Sequence, residues 1–487
     1  MKRIISILLI ATILLTPISS IAINIPGYEG GIQNENTYKE VIFVTGKPIV
    51  MEGTLTIKTK EKDNTITDTY TYKLENIAED AKMTRKIKMT TTLSQKGNQI
   101  TSTSTLDSFR ETITIGNKRY EVKDEFYQWN QGTVTHKTPL LSYYAGDLVA
   151  RKTYTLDRGT ERVVVESMGK LVGYDSPWSS TETHTIDYII EYEDRLNPEN
   201  KWQGTAKVET SYNRTKHYSY AENIPQQISF NGGFRIEEEE ENVLKYEYDL
   251  PRINDNGTIL KGRNVGKDSL SIDTNPIVER LNIPAVRDAL GHIYEEELLL
   301  LASMEALPLE SMYIGANSPM SRGDFARAII KSMNIPIERE EETRRSRRKT
   351  EPTPPLFKDV DRDHRNFEYI EQAAKNGIMI GVDKDNFLPD KGLTRAEAYS
   401  AAIRLLGLEN KAPINKNYTT GFKDDRNIPA WAKDYIYVAK ELGMVEGDYF
   451  YPNREITKGE AAKLIVDLID YMQYELSKDY RENLLNN

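Results

Sequence analysis

The sequence predicts a multidomain chain: an N-terminal all-β, antiparallel domain over residues 23–274, followed by an all-α region built from repeated units. Three observations predict it. Up to about residue 270, Thr, Tyr, Val and Ile recur in period-two runs, which suits a pleated surface buried on one side. From about 275 onward apolar residues recur at three- and four-residue spacing, the period of an amphipathic helix. One helix-start phrase also occurs three times, as "MSRGDFARAIIKSM" (320–333), "LTRAEAYSAAIRLL" (393–406) and "ITKGEAAKLIVDLI" (456–469).

Length and composition bound the reading. At 487 residues the chain is too long for one typical core. Its 38% hydrophobic and 28% charged content is that of an ordinary globular protein. A net charge of −10 disfavours nucleic acid and anionic membrane surfaces as partners. The absence of cysteine removes disulfides, thiolate metal sites and cysteine nucleophiles. At the N-terminus, Lys2 and Arg3 precede the uncharged run "IISILLIATILLTPI", and Ser20 and Ala22 are the small residues of a cleavage site. The run is shorter than the ~20 residues a membrane-spanning helix needs. Residues 1–22 are therefore expected to be a signal peptide, and the mature chain exported without a membrane span.

Within the β domain, strands are expected at 53–60, 65–74, 99–106, 110–115, 181–193 and 205–220. "GNKRY" (116–120) and "FNGGF" (230–234) have the Gly and Asn content of hairpin turns. Ten or more strands follow from this spacing; sandwich, barrel and extended curved sheet all remain open. In the second region, helical periodicity covers 286–307, 366–378 and 431–445.

The repeat has a measurable period. Asp359 to Arg395 is 36 residues, and both Asp424 to Lys458 and Asp288 to Arg322 are 34. "FKDV" (357–360) parallels "FKDD" (422–425), and "FLPDKGLTRAE" (387–397) parallels "FYPNREITKGE" (450–460). Self-similarity at this period means stacked supersecondary units. The units span 275–336, 356–410 and 411–476, with a charged, Pro-containing linker at 337–355 and a tail at 477–487.

Thr394 with Glu397 and Thr457 with Glu460 read as capping boxes, and Ser321 with Asp324 as a weaker one. The basic residue between them is the anomaly. Arg322, Arg395 and Lys458 fall in the first helical turn, where the macrodipole disfavours a cation. Repeating that placement makes sense if a carboxylate meets the cation: either the Asp about 35 residues earlier in each unit, or an external anion also held by the helix-start N–H groups.

The three units resemble S-layer homology repeats. In the second unit Phe357, Asp359, Val360, Gly377, Gly381, Phe387, Pro389 and Thr394–Glu397 carry the resemblance. In the third it rests on Phe422, Asp424, Trp431, Gly443, Gly447, Phe450, Pro452, Thr457 and Glu460. The resemblance implies a pseudo-threefold helical bundle that binds pyruvylated secondary cell-wall polysaccharide in grooves between its prongs, at the cell wall or S-layer surface. It assigns Arg322 and Arg395 to pyruvyl carboxylates, with Asp288, Asp359 and Asp424 and an aromatic residue shaping each groove. Trp431 is that aromatic in the third unit, and Phe367 stands roughly at its place in the second. Lys458 replaces an Arg fork by a point charge.

No metal-spaced His pair, phosphate loop or Gly-x-Ser-x-Gly motif is present, and no cofactor or metal is expected. "GYDSPWSS" (173–180) reads as a turn, with Trp178 on a sugar as the functional alternative, and Glu191, Glu193 and Asp194 as a solvated strand end. The expectation is a non-enzymatic wall-anchored protein, with other surface proteins as further partners. The alternatives are a wall-tethered hydrolase of polysaccharide or peptide, or a ligand-binding module, each with its active region in the β domain.

Overall fold

A computed structural model describes residues 30–156, 159–221, 232–254, 258–337, 354–415 and 417–483. The expected signal peptide and most of the charged linker lie outside these residues. The N-terminal region is one antiparallel sheet of 15 strands. In chain order they are β1 (Ile32–Gln33), β2 (Tyr38–Ile42), β3 (Ile49–Lys62), β4 (Thr65–Asn76), β5 (Ala81–Lys96), β6 (Gln99–Ile115), β7 (Lys118–Lys123) and β8 (Tyr127–Lys137). There follow β9 (Ser142–Leu156), β10 (Glu161–Asp175), β11 (Ser179–Asp194), β12 (Lys201–Ala221), β13 (Gly233–Ile253), β14 (Ile259–Ile272) and β15 (Ile277–Asn282). Neighbours in sequence are mostly neighbours in the sheet; β7 and β8 share the gap between β6 and β9, and β14 and β15 both pair with β13. Every stretch expected as strand is strand, and the sheet runs past the expected boundary at 274 into β15.

Alternation explains the pleat. Along β5, Ala81, Met83, Arg85, Ile87 and Met89 are buried while Lys82, Thr84, Lys86 and Lys88 face solvent. The sheet curls until its first strands lie across its last: Phe43, just after β2, packs 5.9 Å from Tyr188 and 6.3 Å from Tyr246, ring to ring. Inside the curl sits a ladder of charges on strands that are not all neighbours. Arg85 donates to both oxygens of Glu40 at 2.8 Å and also binds Glu111, which accepts from Lys152 at 3.3 Å and from Tyr154. None of the four charged residues is more than 3% exposed. Two anions and two cations compensate one another, so the buried charges are paired.

The C-terminal region is helical: α1 (Glu295–Ser303), α2 (Arg322–Ser332), α3 (Phe367–Lys375), α4 (Arg395–Leu406), α5 (Lys433–Glu441), α6 (Lys458–Asp470) and α7 (Leu476–Asn483). A π-helical turn, Tyr471–Glu475, joins α6 to α7, so the expected tail at 477–487 is helix as far as Asn483. The first helix of each unit is shorter than its periodicity predicts. In the first unit, residues 286–294 form turns because the Asp288 carboxylate accepts the N–H groups of Ile314, Gly315 and Ala316 at 2.6–3.1 Å. Gly377 and Gly443, at φ 68° and 71°, supply the left-handed residue that ends α3 and α5. Among the described residues no helix is long and apolar enough to cross a membrane.

Candidate functional site

The three repeated helix starts meet. Ser321, Thr394 and Thr457 cap α2, α4 and α6, their hydroxyls accepting from Asp324 N, Glu397 N and Glu460 N at 3.1–3.3 Å. The preceding residues close a ring of backbone bonds: Met320 N–H donates to Ile456 O, Ile456 N–H to Leu393 O, and Leu393 N–H to Met320 O, at 2.8–2.9 Å. A second tier repeats the ring. The N–H groups of Arg322, Arg395 and Lys458 reach Lys391 O, Arg454 O and Ser318 O, and those of Gly323, Ala396 and Gly459 reach Pro389 O, Pro452 O and Ala316 O, all at 2.8–3.0 Å. The first N–H groups of a helix lack intrahelical acceptors. Here the next unit supplies them, which corrects the expectation that these N–H groups would help hold an external anion.

The cations follow the same cyclic rule. Arg322 sends Nε to Phe387 O (2.8 Å), Nη2 to Ile380 O (2.7 Å) and Nη1 to Glu397 (2.7 Å), and lies 4.8 Å over the Phe387 ring. Its side chain is only 4% exposed. Burial lowers its pKa, opposed by the charge and hydrogen bond of Glu397 and, more weakly, by Asp359. Arg395 sends Nε to Phe450 O (2.8 Å) between the rings of Tyr399 and Phe450, and its Nη1 stands 3.6 Å from Glu460. Lys458 donates to Ile314 O at 2.8 Å. Each cation thus leaves its own helix and enters the link of the next unit. The partner carboxylates are the capping-box Glu397 and Glu460, not the Asp of the same unit. Burial pushes the Glu460 carboxyl up, but hydrogen bonds from Arg454 and Thr457 N–H, with the Arg454 and Arg395 charges, hold it below its ordinary value.

Asp288, Asp359 and Asp424 have another task. Asp359 accepts the N–H groups of Phe387 (2.9 and 3.1 Å) and Leu388 (2.7 Å), and Asp424 those of Phe450 (2.8 Å) and Tyr451 (2.7 Å). The second residue of each pair is left-handed, Leu388 at φ 56° and Tyr451 at φ 55°, with Gly315 at 76° in the first unit. A non-glycine residue held there carries about 1–2 kcal/mol of strain. The carboxylate offsets it by satisfying both N–H groups.

Helix starts also fix which residues correspond. Tyr294, Asn366 and Ala432 immediately precede α1, α3 and α5. His292 Nδ1 accepts the Tyr294 N–H and His364 Nδ1 the Asn366 N–H, both at 3.1 Å. One residue earlier stand Ile293, Arg365 and Trp431. Arg365, not Phe367, is therefore the counterpart of Trp431; Phe367 is half-buried in the first turn of α3, under Arg362. Arg365 binds both oxygens of Asp324 at 3.0 Å, and Asn366 adds a bond at 2.8 Å. Trp431 is 54% exposed. Sequence reading missed Arg365, Glu397 and Glu460 as functional neighbours, although counting back from each helix start would have found the first.

In the β region, a cavity of about 850 Å³ opens on the outer face of β8–β14, lined by Val149, Met168, Ile189 and Val265 among charged residues such as Arg151 and Glu166, which pair at 3.1 Å. Trp178 does not face solvent: it is 4% exposed and set edge-on against Tyr218. Glu193 pairs with Arg162 at 3.1 Å, and Asp194 accepts the N–H groups of Leu196 and Asn197 in a turn.

The S-layer homology domain pattern matches residues 356–398 and 421–462, the second and third units. Exoglucanase XynX of Acetivibrio thermocellus is 30% identical over 154 residues, 31% of this chain and 13% of that protein. The S-layer protein of Bacillus thuringiensis subsp. finitimus is 33% identical over 113 residues, 23% of this chain and 13% of the relative. The S-layer protein sap of Bacillus anthracis gives the same figures, 33% over 113 residues, 23% and 13%. The chain thus spans about an eighth of the length of these relatives. With the repeat markers in register in both matched units, the chain is a cell-surface, cell-wall-attached protein carrying S-layer homology repeats.

Proposed function

We propose that the three helical units act together as one pseudo-threefold anchor that binds pyruvylated secondary cell-wall polysaccharide without a covalent bond. In this reading the β region is a non-enzymatic body displayed at the wall. The observation that carries it is the uneven use of the three cations. Arg322 has a partner for every nitrogen. The terminal nitrogens of Arg395 make no hydrogen bond among the described residues, only the 3.6 Å ion pair to Glu460. Lys458 has spent one of three donors. A ketal-linked pyruvate presents a carboxylate, and a guanidinium with donors to spare is the fork that takes one. Trp431 adds an exposed aromatic face in the third unit, the unit that Arg395 enters. The junction between the second and third units is the primary site of this proposal. Arg322 and Asp288, Asp359 and Asp424 act in it by fixing the links.

The test is co-sedimentation of the full chain with purified wall sacculi, before and after removal of the pyruvyl groups. Binding should be lost with the pyruvate, and Trp431→Ala should weaken it about tenfold or more with an unchanged fold. Binding that survives depyruvylation overturns the assignment. The outer-face cavity of the β region favours a second reading, a small-ligand module carried by the anchor. Met168→Arg would abolish such binding while leaving wall attachment intact.

A further inference from the structure

The last helix does not end where the third unit ends. From Lys458 to Asn483 the chain stays helical, roughly 40 Å at 1.5 Å per residue. In its second half Tyr471, Met472, Gln473, Leu476 and Tyr480 are buried, and this stretch meets the β sheet. Ser179 Oγ, at the start of β11, donates to Met472 O at 2.6 Å, inside the π-helical turn. A π turn changes the i→i+4 ladder locally, and here a carbonyl in that stretch accepts a side chain of the other region. Tyr218 OH donates to Asp470 at 2.9 Å, the His217 ring stacks on Tyr474 at 5.6 Å, and Tyr174 meets Tyr480 edge-on at 5.1 Å.

A second seam lies at the end of α4. Leu140 N–H donates to Leu405 O at 3.2 Å, and Leu140 and Leu141 are buried in the same cluster as the helix interiors. Gly407, at φ 65°, lies so close to Thr138 that a Cβ there would stand 2.3 Å from its methyl group. Trp178 and Phe234 of the β region join that cluster too. The helical core is therefore completed by Leu140, Leu141, Tyr174, Trp178 and Phe234 of the β region.

We propose that this surface makes the sheet and the helical region one rigid, cooperatively unfolding body, clamped at the π turn and at Gly407. The partner of the last helix is the chain's own β region. The anchor then fixes the direction in which the sheet is held, independently of what the anchor binds. Two modules on a flexible hinge would unfold separately; one body does not.

Amide hydrogen exchange on the full chain tests it, with Tyr480→Ala as perturbation. Protection should fall by a common factor of roughly a hundredfold in α4, α6, β10 and β11, because their slowest amides exchange through one global opening. Loss of protection confined to the helices, with strand amides as slow as before, overturns the proposal. Should Tyr480→Ala fail to fold, Ser179→Ala is the milder probe: a common drop of about tenfold supports one body, and a drop on one side only refutes it.

Discussion

Replacing Glu111 by Gln takes one charge out of the ladder inside the curled sheet. Glu111 is fully buried; burial pushes its carboxyl up, but Arg85, Lys152 and the Tyr154 hydroxyl pull it down to about 2 from an ordinary 4.5. The folded-state value is depressed, so the stabilisation is complete above about pH 4.5 and is lost as pH falls toward 2. At about 1.4 kcal/mol per pH unit it amounts to something on the order of 3 kcal/mol. At neutral pH the Gln variant removes a buried negative charge from between Arg85 and Lys152, at a cost of about 3–5 kcal/mol. Urea unfolding of the full chain at pH 7 reads the second figure. The same titration repeated down to pH 3 reads the first, as wild-type stability that falls more steeply with acid than that of the variant. A loss under about 1 kcal/mol at pH 7, with parallel acid slopes, would show that the ladder is not a paired unit.

Two further substitutions test the links and the clamp. Asp424→Ala frees two N–H groups and leaves Tyr451 left-handed without support, so urea stability should fall by about 2–4 kcal/mol; Asp424→Asn should recover part of it. Gln473 is 6% exposed, and both its amide atoms are without a partner among the described residues. Gln473→Met, of similar volume, should raise stability by about 1 kcal/mol in a thermal melt.

Local rules were legible and long-range pairings were not. Strand periodicity, the capping boxes at Thr394 and Thr457 and the glycine ends of α3 and α5 are written within a few residues, and each is present. The Glu40–Arg85 pair joins residues 45 apart in sequence on strands that are not neighbours in the sheet, whereas Glu111 stands directly across from Arg85 on the adjacent strand. An inward-facing Arg on β5 was the one available hint of it. Trp178 read as a turn residue because its burial comes from Tyr218 on a distant part of the sheet and from the cluster it shares with the helix interiors. The partners of Arg322 were hidden likewise: they lie 58, 65 and 75 residues downstream, in the next unit rather than in its own.

That displacement also resolves why a cation recurs at a helix start. The macrodipole costs a few tenths of a kcal/mol to about 1 kcal/mol at an exposed first turn. Hydrogen bonds from a charged group return about 1.5–3 kcal/mol each. Arg322 makes three and gains on balance, without any ligand. Arg395 makes one hydrogen bond and one longer ion pair, so its structural role is weaker and its capacity for an external carboxylate greater. The two positions should therefore respond in opposite ways to the same change. Arg322→Lys should lower urea stability by about 2–3 kcal/mol, since a point charge cannot serve Phe387 O, Ile380 O and Glu397 together. Sacculus binding by the folded fraction should then stay near wild type. Arg395→Lys should leave stability within about 1 kcal/mol and cut sacculus binding about tenfold. Equal losses of binding at both positions would mean that ligand affinity depends on the guanidinium fork at each link, whether or not its donors are already spent.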